Sequence, residues 1–344
     1  MMKAGRIHAY HEPITVDEID PPEIGADTDV IVKIAGAGVC RTDLHIVDGI
    51  WKDALGNPSL PYTIGHENAG WVESVGKNAT HLKKGDPVIL HPLMSCGICA
   101  ACRQGRDMYC VNGHFPGLDG TDGGYAEYLK TSVRSVVPLA PGTDPLPLAP
   151  FADAGITAYH AIKKLVPWSV PGTRIVIIGI GGLGHFAIQI LQALTPATLI
   201  AVDTQKNRLQ FAEEIGAHYS VLAGPDGGVQ GVRSIAKDGV DIVIDFVGEH
   251  QTPQSAIEML AKGGTYSVVG YGGRVNVPTL DFVNREINIV GNLVGTYNEL
   301  AELMELNRQG KVIITARQFP LQDAPRVMAM LEQGEIMGRA VLVP

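Results

Sequence analysis

The second half of the chain alternates between short apolar runs and longer segments in which apolar residues recur at helical spacing. Residues 173–178 form a β-branched run typical of a strand buried on both faces, and a helical pattern follows between Phe186 and Leu194. Strands that alternate with helices predict an α/β fold with a doubly wound parallel sheet. Further strands are predicted at 198–202, 219–222, 241–245, 265–269 and 287–290, and further helices at 207–215 and at 254–260, the last one stopped by Gly263-Gly264.

Residues 1–150 follow a different pattern. They consist of many short strand-like runs divided by prolines and glycine turns, which predicts an all-β barrel or sandwich. A chain of 344 residues is long enough for about two domains, at roughly 100–200 residues each. The sequence therefore predicts an all-β domain joined to an α/β domain.

Charge and composition exclude several classes of protein. With 27 Lys and Arg against 36 Asp and Glu, the net charge of −9 argues against nucleic acid as the main partner. The apolar stretch 175–194 contains four glycines, all within residues 179–184, so a strand, a turn and a helix explain it better than a membrane span. No long apolar segment follows the N-terminus, so we expect no signal peptide and a cytoplasmic location. In that reducing compartment, cysteines bind metals or take part in catalysis rather than form disulfides.

Four of the five cysteines are clustered with the spacing C-x2-C-x2-C-x7-C, namely Cys96, Cys99, Cys102 and Cys110. Four thiolates at short spacing can close a tetrahedral shell around a structural Zn²⁺ ion. An iron–sulfur cluster is the alternative, because bacterial ferredoxin sequences also begin C-x2-C-x2-C, but those continue with x3-C-P. A set of unrelated buried thiols is the remaining explanation. The spacing favours structural zinc.

The fifth cysteine, Cys40, stands apart, and His66 and Asp153 are potential ligands in two further segments. A cysteine, a histidine and a carboxylate can bind a catalytic zinc and leave its fourth position to water or substrate. Each of these residues also has an ordinary explanation, because a lone cysteine is often a small buried residue and an Asp before a helix is often an N-cap. Residue types alone leave this site open.

A glycine-rich motif follows the strand at 173–178. Residues 179–184 match G-x-G-x-x-G between the predicted strand and helix, and the next strand ends at Asp203, 19 residues after the last glycine. Such glycines let the backbone approach a pyrophosphate at the N-terminal end of a helix, and the carboxylate can accept hydrogen bonds from the adenosine ribose. The motif predicts that a dinucleotide is bound by Gly179, Gly181, Gly182, Leu183, Gly184 and Asp203.

Four motifs occur together in this sequence. They are Gly65-His66-Glu67 with Gly70 and Gly76, the segment Cys40-Arg41-Thr42-Asp43-Leu44-His45, the four-cysteine lobe, and residues 179–184 with Asp203. By these motifs, and over essentially its whole length, the sequence resembles the zinc-dependent medium-chain alcohol dehydrogenases. The resemblance implies a GroES-like catalytic domain over 1–153 with a zinc lobe at about 92–113, a Rossmann domain over 154–293, and a return to the catalytic domain over 294–344.

The resemblance assigns metal ligands. Cys40, His66 and Asp153 match the catalytic zinc ligands of the family. Many members carry a cysteine at the last of these positions, so Asp153 departs from the commoner pattern and matches a bacterial variant. Glu67 matches a residue that approaches the metal, either as an intermittent ligand or in support of the ligands.

The resemblance also implies the reaction. The alcohol oxygen would bind at the open zinc position, where the metal would lower the pKa of the alcohol hydroxyl. Its proton would leave through Thr42, a cofactor ribose hydroxyl and His45, and its hydride would pass to the nicotinamide ring.

The choice of cofactor rests on Asp203. A carboxylate at this position would repel a 2′-phosphate, which favours NAD over NADP, although Lys206 and Arg208 could offset part of that repulsion. We therefore expect NAD and two zinc ions per chain, one catalytic and one structural. By their positions in the family, further residues are implied to contact the cofactor, namely Arg208, Phe246, Val269, Leu293 and Arg339. The alternative for Arg339 is that it is a plain surface charge.

The substrate is less defined. By family position, Ile50, Trp51, Phe115 and Leu118 could line an apolar pocket, or they could belong simply to the core. An apolar pocket favours medium aliphatic or aryl secondary alcohols, and also primary ones, with the corresponding ketones and aldehydes. A polyol or threonine dehydrogenase of the same family is the alternative, and a non-catalytic cofactor-binding paralogue is a more distant one. The resemblance also favours a homo-oligomer, a tetramer rather than a dimer.

Overall fold

The computed structural model describes residues 1–344, which form two compact units. Unit 1 consists of Met1–Ile156, Gly295–Glu305 and Ile314–Pro344, and unit 2 consists of Thr157–Val294 and Leu306–Ile313. None of the helices combines the length and the apolar character that a bilayer span requires.

The chain contains sixteen strands and ten α-helices. The strands are β1 (Met2–Ile7), β2 (Thr15–Ile19), β3 (Asp29–Val39), β4 (Tyr62–Thr63), β5 (Glu67–Val75), β6 (Pro87–Leu90), β7 (Tyr128–Ser132), β8 (Val136–Pro138), β9 (Arg174–Ile178), β10 (Thr198–Asp203), β11 (Tyr219–Leu222), β12 (Val240–Asp245), β13 (Leu260–Val268), β14 (Asn288–Gly291), β15 (Ala316–Pro320) and β16 (Arg339–Val343). The helices are α1 (Arg41–Val47), α2 (Ala100–Arg103), α3 (Ala154–Lys163), α4 (Gly184–Leu194), α5 (Lys206–Glu214), α6 (Val229–Ile235), α7 (Thr252–Met259), α8 (Thr279–Arg285), α9 (Tyr297–Arg308) and α10 (Ala324–Glu332).

Unit 1 contains two sheets. The larger has the order β15-β16-β3-β5-β6-β8 with β7 as a further neighbour of β3, and the smaller has the order β2-β1-β4. The eleven-residue strand β3 is buried at nearly every position. It pairs with β5 along its length, with β7 over its first half and with β16 at its end. In the latter pairing, Ala340 lies opposite Val39. Unit 1 is therefore built around a strand whose neighbours come from both ends of the chain.

Unit 2 contains one parallel sheet with the strand order β11-β10-β9-β12-β13-β14. The order reverses between β9 and β12, and ligands of doubly wound sheets bind outside the carboxyl ends of the strands at such a point. β9 and β12 are almost continuously buried, as their apolar sequences predict. The predicted doubly wound parallel sheet is confirmed.

The structure differs from the sequence prediction at the end of α7 and in helices that the apolar pattern does not predict. Helix α7 ends at Met259 and β13 begins at Leu260, so Gly263 and Gly264 lie within the strand instead of stopping the helix. The apolar pattern also predicts neither α6 nor α8. In α8, Leu280 and Val283 are 74% and 77% exposed, so this helix lacks the buried apolar stripe that sequence periodicity detects.

Candidate active site

Cys40 lies where β3 ends and α1 begins. It is the N-cap residue of α1, and its backbone amide donates to Asp43 Oδ2 at 2.9 Å. An acidic side chain that reaches back from the third helical position to the N-cap amide stabilises the first turn. Cys40 itself is buried. The sulfur is therefore held at a rigid junction between a buried strand and a helix.

Four potential metal ligands from three segments of unit 1 meet beside this junction. One donor atom each from Cys40, His66, Glu67 and Asp153 lies within 4.8 Å of the others. Asp153 Oδ2 is 3.4 Å from His66 Nε2 and 4.0 Å from Cys40 Sγ. Around a tetrahedral zinc with ligand bonds of about 2.0–2.3 Å, neighbouring donors lie roughly 3.3–3.8 Å apart. The three predicted ligands therefore come together with close to the spacing that zinc requires.

The surroundings of His66 favour a positive charge. Its Nδ1 lies 3.2 Å from Asp43 Oδ1 and its Nε2 lies 3.4 Å from Asp153 Oδ2, but neither ring nitrogen makes a hydrogen bond. Burial alone would lower the pKa of His66, but the carboxylates of Asp43 and Asp153 outweigh it and raise the pKa well above its ordinary value. A metal ion at Nε2 would supply that positive charge, with Asp43 orienting the ring from its other side. The donor set fits zinc.

Glu67, the fourth donor, is also held by the protein. Its Oε2 is paired with Arg339, and its Oε1 accepts a hydrogen bond from the Ala154 amide at 3.2 Å. Burial raises the pKa of Glu67 to about 7, and the Arg339 guanidinium opposes this rise. Arg339 is only 4% exposed, so it is not a plain surface charge. Its predicted contact with the cofactor stays a prediction.

The predicted relay residues lie on α1. Thr42 and His45 are three positions apart, so their side chains project from neighbouring parts of the helix surface. Both are half-buried, whereas Asp43 between them is completely buried. The relay residues therefore lie on the side of the helix nearer to solvent.

The four predicted pocket residues differ in exposure. The Phe115 ring is edge-on to His66, with ring centroids 6.0 Å apart, and Leu118 is buried. Trp51 is half-buried and Ile50 is 60% exposed. The Phe115 ring therefore contacts one of the predicted metal ligands.

The four clustered cysteines also come together. Cys102 Sγ lies 3.5 Å from Cys99 Sγ and 4.0 Å from Cys96 Sγ, and Cys99 Sγ lies 4.0 Å from Cys110 Sγ. Sulfurs around a tetrahedral zinc with Zn–S bonds of ~2.3 Å are roughly 3.8 Å apart. Disulfide-bonded sulfurs would be ~2.05 Å apart, and all four cysteines are free thiols. The lobe has the dimensions of a closed zinc site.

The backbone of the lobe stabilises thiolates. Cys96 N donates to Cys110 Sγ at 3.2 Å, and Cys99 N donates to Cys96 Sγ at 3.4 Å. Donation by the amides of Ile98 and Cys99 lowers the pKa of Cys96 to about 6. Burial raises the pKa of Cys102 to about 11, so its proton must be displaced when a metal binds. Both the chemistry and the spacing of these four thiols therefore fit zinc.

In unit 2, the glycines of the 179–184 loop meet three separate requirements. Gly179 has φ +87°, a conformation that favours glycine, and a Cβ on Gly184 would lie 2.1 Å from Gly179 O. A Cβ on Gly181 would meet nothing within 4 Å, so the backbone is open to an incoming group at this position. The amides of Gly181 and Gly182 donate to no backbone carbonyl. The loop thus has the tight turn, the open approach and the close helix packing of a dinucleotide-binding loop.

Asp203 connects this loop to the end of β10. Its Oδ2 accepts a hydrogen bond from Ile180 N at 2.7 Å, and its Oδ1 accepts one from Gln205 N at 2.9 Å. Arg208 Nη1 lies 3.8 Å from Oδ2. Because a carboxylate has about four acceptor sites, Asp203 retains capacity for ribose hydroxyls.

The other predicted cofactor residues of unit 2 lie at one edge of its sheet. Phe246 and Val269 follow β12 and β13 directly, and Leu293 follows β14 by two residues. Asp245 fixes the first of these loops, because its Oδ1 accepts hydrogen bonds from the amides of Val247 and Gly248. The structure therefore brings these segments to the carboxyl ends of parallel strands, and their cofactor contacts stay predictions.

Comparison with known proteins decides the family. Residues 26–141 match the alcohol dehydrogenase GroES-like domain, and residues 182–309 match the zinc-binding dehydrogenase family. An NAD-dependent alcohol dehydrogenase of Sulfolobus acidocaldarius is 35% identical over 349 residues, with 99% of each chain covered. The chain belongs to the zinc-dependent medium-chain alcohol dehydrogenases.

This alcohol dehydrogenase uses NAD and zinc, and its N-terminal part is GroES-like, as the resemblance implied. The crystal structure of an alcohol dehydrogenase from Aeropyrum pernix is similar to it with a TM-score of 0.96 and 46% identity, over 99% of this chain and 100% of the other. A D-arabinose 1-dehydrogenase (NADP(+)) of Saccharolobus solfataricus is 34% identical, with 99% of this chain and 97% of the relative covered.

Two residues beside the metal cluster of the dehydrogenase were not predicted as parts of the site. Asp43 is completely buried against His66, and it accepts a hydrogen bond from the Tyr125 hydroxyl at 2.7 Å. The i, i+3 spacing of Cys40 and Asp43, typical of a helix cap, is a signal that could have identified Asp43. Tyr125 has no such local signal, because 82 positions separate it from Asp43.

The lobe yields a stability prediction for the dehydrogenase. We expect Cys99→Ala to lose about one zinc per chain and to lower the Tm by roughly 5–15 °C, because closed zinc sites contribute directly to folding. Metal analysis and thermal denaturation provide the measurement. The neighbouring Ile98, which is 72% exposed, offers the control, and Ile98→Ala should change neither value. An unchanged zinc content in Cys99→Ala would contradict the assignment of the lobe.

Proposed function

We propose that this dehydrogenase interconverts medium aliphatic or aryl secondary alcohols, and also primary alcohols, with their ketones and aldehydes. The observation that carries the proposal is the edge-on contact between Phe115 and His66, with ring centroids 6.0 Å apart. An aromatic wall beside a metal ligand favours substrates whose carbon chain is apolar. Leu118, which is buried, and the more exposed Ile50 and Trp51 extend the proposed pocket.

In this proposal the chain holds two zinc ions. Cys40, His66 and Asp153 hold the catalytic ion, and the four lobe cysteines hold the structural one. When bound, the catalytic zinc supplies the Lewis acidity that makes an alcohol hydroxyl acidic near neutral pH, and NAD supplies the hydride acceptor. Asp43 keeps the His66 ring oriented, because its Oδ1 lies 3.2 Å from Nδ1. Glu67 either ligates the metal intermittently or supports the ligands.

Proton removal is assigned to two side chains of α1. Thr42 Oγ1 accepts the proton of the alcohol hydroxyl while it gives up its own hydroxyl proton, and the His45 imidazole accepts the proton that leaves the relay and releases it to solvent. The half-buried position of both residues supports this assignment.

The proposal extends to the cofactor and the assembly. NAD is held by the 179–184 loop, whose Gly182 and Leu183 amides lie directly before the first residue of α4, and by the carboxylate of Asp203. The catalytic domain consists of residues 1–153 and 294–344, and the Rossmann domain consists of residues 154–293. The enzyme is located in the cytoplasm. It forms a homo-oligomer, a tetramer rather than a dimer. Further cofactor contacts are assigned to Arg208, Phe246, Val269, Leu293 and Arg339.

A polyol or sugar dehydrogenase is the second candidate. The D-arabinose 1-dehydrogenase relative, 34% identical over nearly the whole chain, favours it. The two candidates differ in the polar groups that the pocket must offer to a polyhydroxylated substrate. Apart from the indole N–H of Trp51, the side chains proposed for this pocket are apolar.

A substrate panel tests the proposal. The zinc-loaded enzyme is assayed with NAD and with secondary alcohols of increasing chain length, aryl alcohols, polyols, D-arabinose and L-threonine, and the ultraviolet absorbance of NADH is recorded. We expect kcat/KM to rise with the apolar surface of the alcohol and to be lowest for polyols, D-arabinose and threonine. A higher kcat/KM for D-arabinose or a polyol than for every simple alcohol would overturn the proposal in favour of the second candidate.

Asp203 yields a prediction about the cofactor. Asp203→Ala removes the ribose acceptor and the charge that repels a 2′-phosphate, so we expect the ratio of kcat/KM for NAD to that for NADP to fall roughly 10- to 100-fold. Asp241→Ala is the control, because Asp241 also accepts a backbone hydrogen bond in unit 2, from Arg174 N at 2.8 Å. An unchanged ratio in Asp203→Ala would mean that another residue selects the cofactor.

A further inference from the structure

The side chain of His185 contacts the glycine-rich loop from within the fold of unit 2. His185 is the second residue of α4 and is 1% exposed. Its Nδ1 lies 3.0 Å from Gly181 O, and the same oxygen accepts the His185 backbone amide at 3.3 Å. Because a carbonyl oxygen only accepts hydrogen bonds, Nδ1 must carry a proton. The contact therefore fixes the tautomer of the ring.

The position of the ring is fixed by aromatic neighbours. The His185 ring stacks on Phe186, with centroids 4.8 Å apart and planes inclined by 27°. Phe211 of α5 lies at 6.2 Å on a tilted plane. The imidazole is thus a buried, packed donor that cannot turn away from Gly181 without losing these contacts.

This contact determines the orientation of the next peptide amide. In a planar trans peptide, the C=O of Gly181 and the N–H of Gly182 point in opposite directions. Since His185 draws Gly181 O toward α4, the Gly182 N–H is directed out of the N-terminal end of the helix. No backbone carbonyl accepts from this amide, and the space beside Gly181 is open for at least 4 Å around an added Cβ.

We propose that His185 is a positioning residue for the cofactor pyrophosphate. By holding the Gly181 carbonyl, the imidazole directs the Gly182 amide at a phosphate oxygen, where the helix N-terminus also favours negative charge. His185 touches neither the substrate nor the cofactor and acts only through the loop. The inference rests on the proposed assignment of the 179–184 loop to the cofactor.

The experiment compares ligands with and without phosphates. Isothermal titration calorimetry measures Kd for ADP and for adenosine on the zinc-loaded enzyme, so the readout does not depend on activity. His185→Leu and His185→Gln remove the donor at the δ position, whereas His185→Asn retains an N–H there. We expect the first two variants to raise Kd for ADP roughly 3- to 10-fold, the worth of one hydrogen bond, and to change Kd for adenosine less than about twofold. His185→Asn should remain within about twofold of wild type for both ligands.

The controls separate the possible failures. His218→Leu removes another histidine of unit 2, whose Nδ1 accepts from Leu199 N at 3.0 Å, and it should leave both Kd values unchanged. An equal loss of ADP and adenosine binding in His185→Gln, or the same loss in His185→Asn as in His185→Gln, would overturn the inference. Gly181→Val tests the loop itself by filling the open space. If Gly181→Val binds ADP as tightly as wild type does, the assignment of the loop fails, and the inference about His185 fails with it.

Discussion

Cys40→Ala should abolish alcohol oxidation while the protein remains folded. The variant removes one of three proposed ligands to the catalytic zinc, so we expect metal analysis to find about one zinc per chain instead of two. Because a metal ion contributes several kcal/mol of charge stabilisation and each 1.36 kcal/mol corresponds to a tenfold change in rate, the loss in kcat/KM should reach about 10³-fold or more. Circular dichroism should be unchanged, since the four-cysteine lobe shares no ligand with this site.

A neighbouring residue on the same strand provides the control for Cys40→Ala. Val39 is 1% exposed, so Val39→Ala removes buried apolar volume but no metal donor. It should lower stability by about 1–3 kcal/mol and retain both zinc ions. Asp153→Cys, which replaces a carboxylate by another zinc ligand, should also retain them. Activity near the wild-type level in Cys40→Ala, with one zinc lost, would show that the wrong cluster has been assigned to catalysis.

Thr42→Val should lower kcat roughly 10²–10⁴-fold, the usual worth of general acid–base assistance, with both zinc ions retained. Valine keeps the shape of the side chain and removes only the hydroxyl that is proposed to accept the proton of the alcohol. The proposed zinc ligand Cys40 lies two positions away, and the hydrogen bond from its backbone amide to Asp43 does not involve Thr42. Steady-state kinetics with metal analysis of the same preparation provides the measurement.

Two further variants separate the hydroxyl from the fold of α1. Thr42→Ser retains a hydroxyl and should recover most of the activity. His45→Gln should cost much less than Thr42→Val, and its deficit should shrink as pH rises, because hydroxide can then complete the transfer to solvent. Near wild-type turnover in Thr42→Val would assign the proton to another group, with Glu67 as the first candidate.

The sequence predicts unit 2 better than unit 1, and the reason is the range of the interactions. β9, β10 and β12 are covered on both faces, so each is a continuous apolar run that local sequence reveals. In unit 1, β3 pairs with β16 from the far end of the chain, and no local pattern records that partnership. The return of the chain to unit 1 follows only from resemblance to a family.

The same distinction applies to the candidate site. The four lobe cysteines and the glycines could be predicted because their chemistry requires rare residue types at defined spacing. Cys40, His66 and Asp153 come from distant segments, so they could be predicted as ligands only from the resemblance to a family. Glu67 and Arg339 could not be predicted as a buried ion pair, since 272 positions separate them and each is an ordinary residue taken alone. His185 could not be predicted as a partner of the glycine loop, because a histidine inside a helical pattern has many other uses.

The pairing of β3 with β16 also imposes an order of events during synthesis. Ala340 is made about 300 residues after Val39, which at ~5–20 residues per second leaves part of the edge of β3 unpaired for roughly 15–60 s. Cys40, Glu67 and Asp153 are all made within the first half of this interval, whereas Arg339 is made with β16. Until β16 has been made, the chain therefore lacks the guanidinium that is paired with the Glu67 carboxylate in the finished protein.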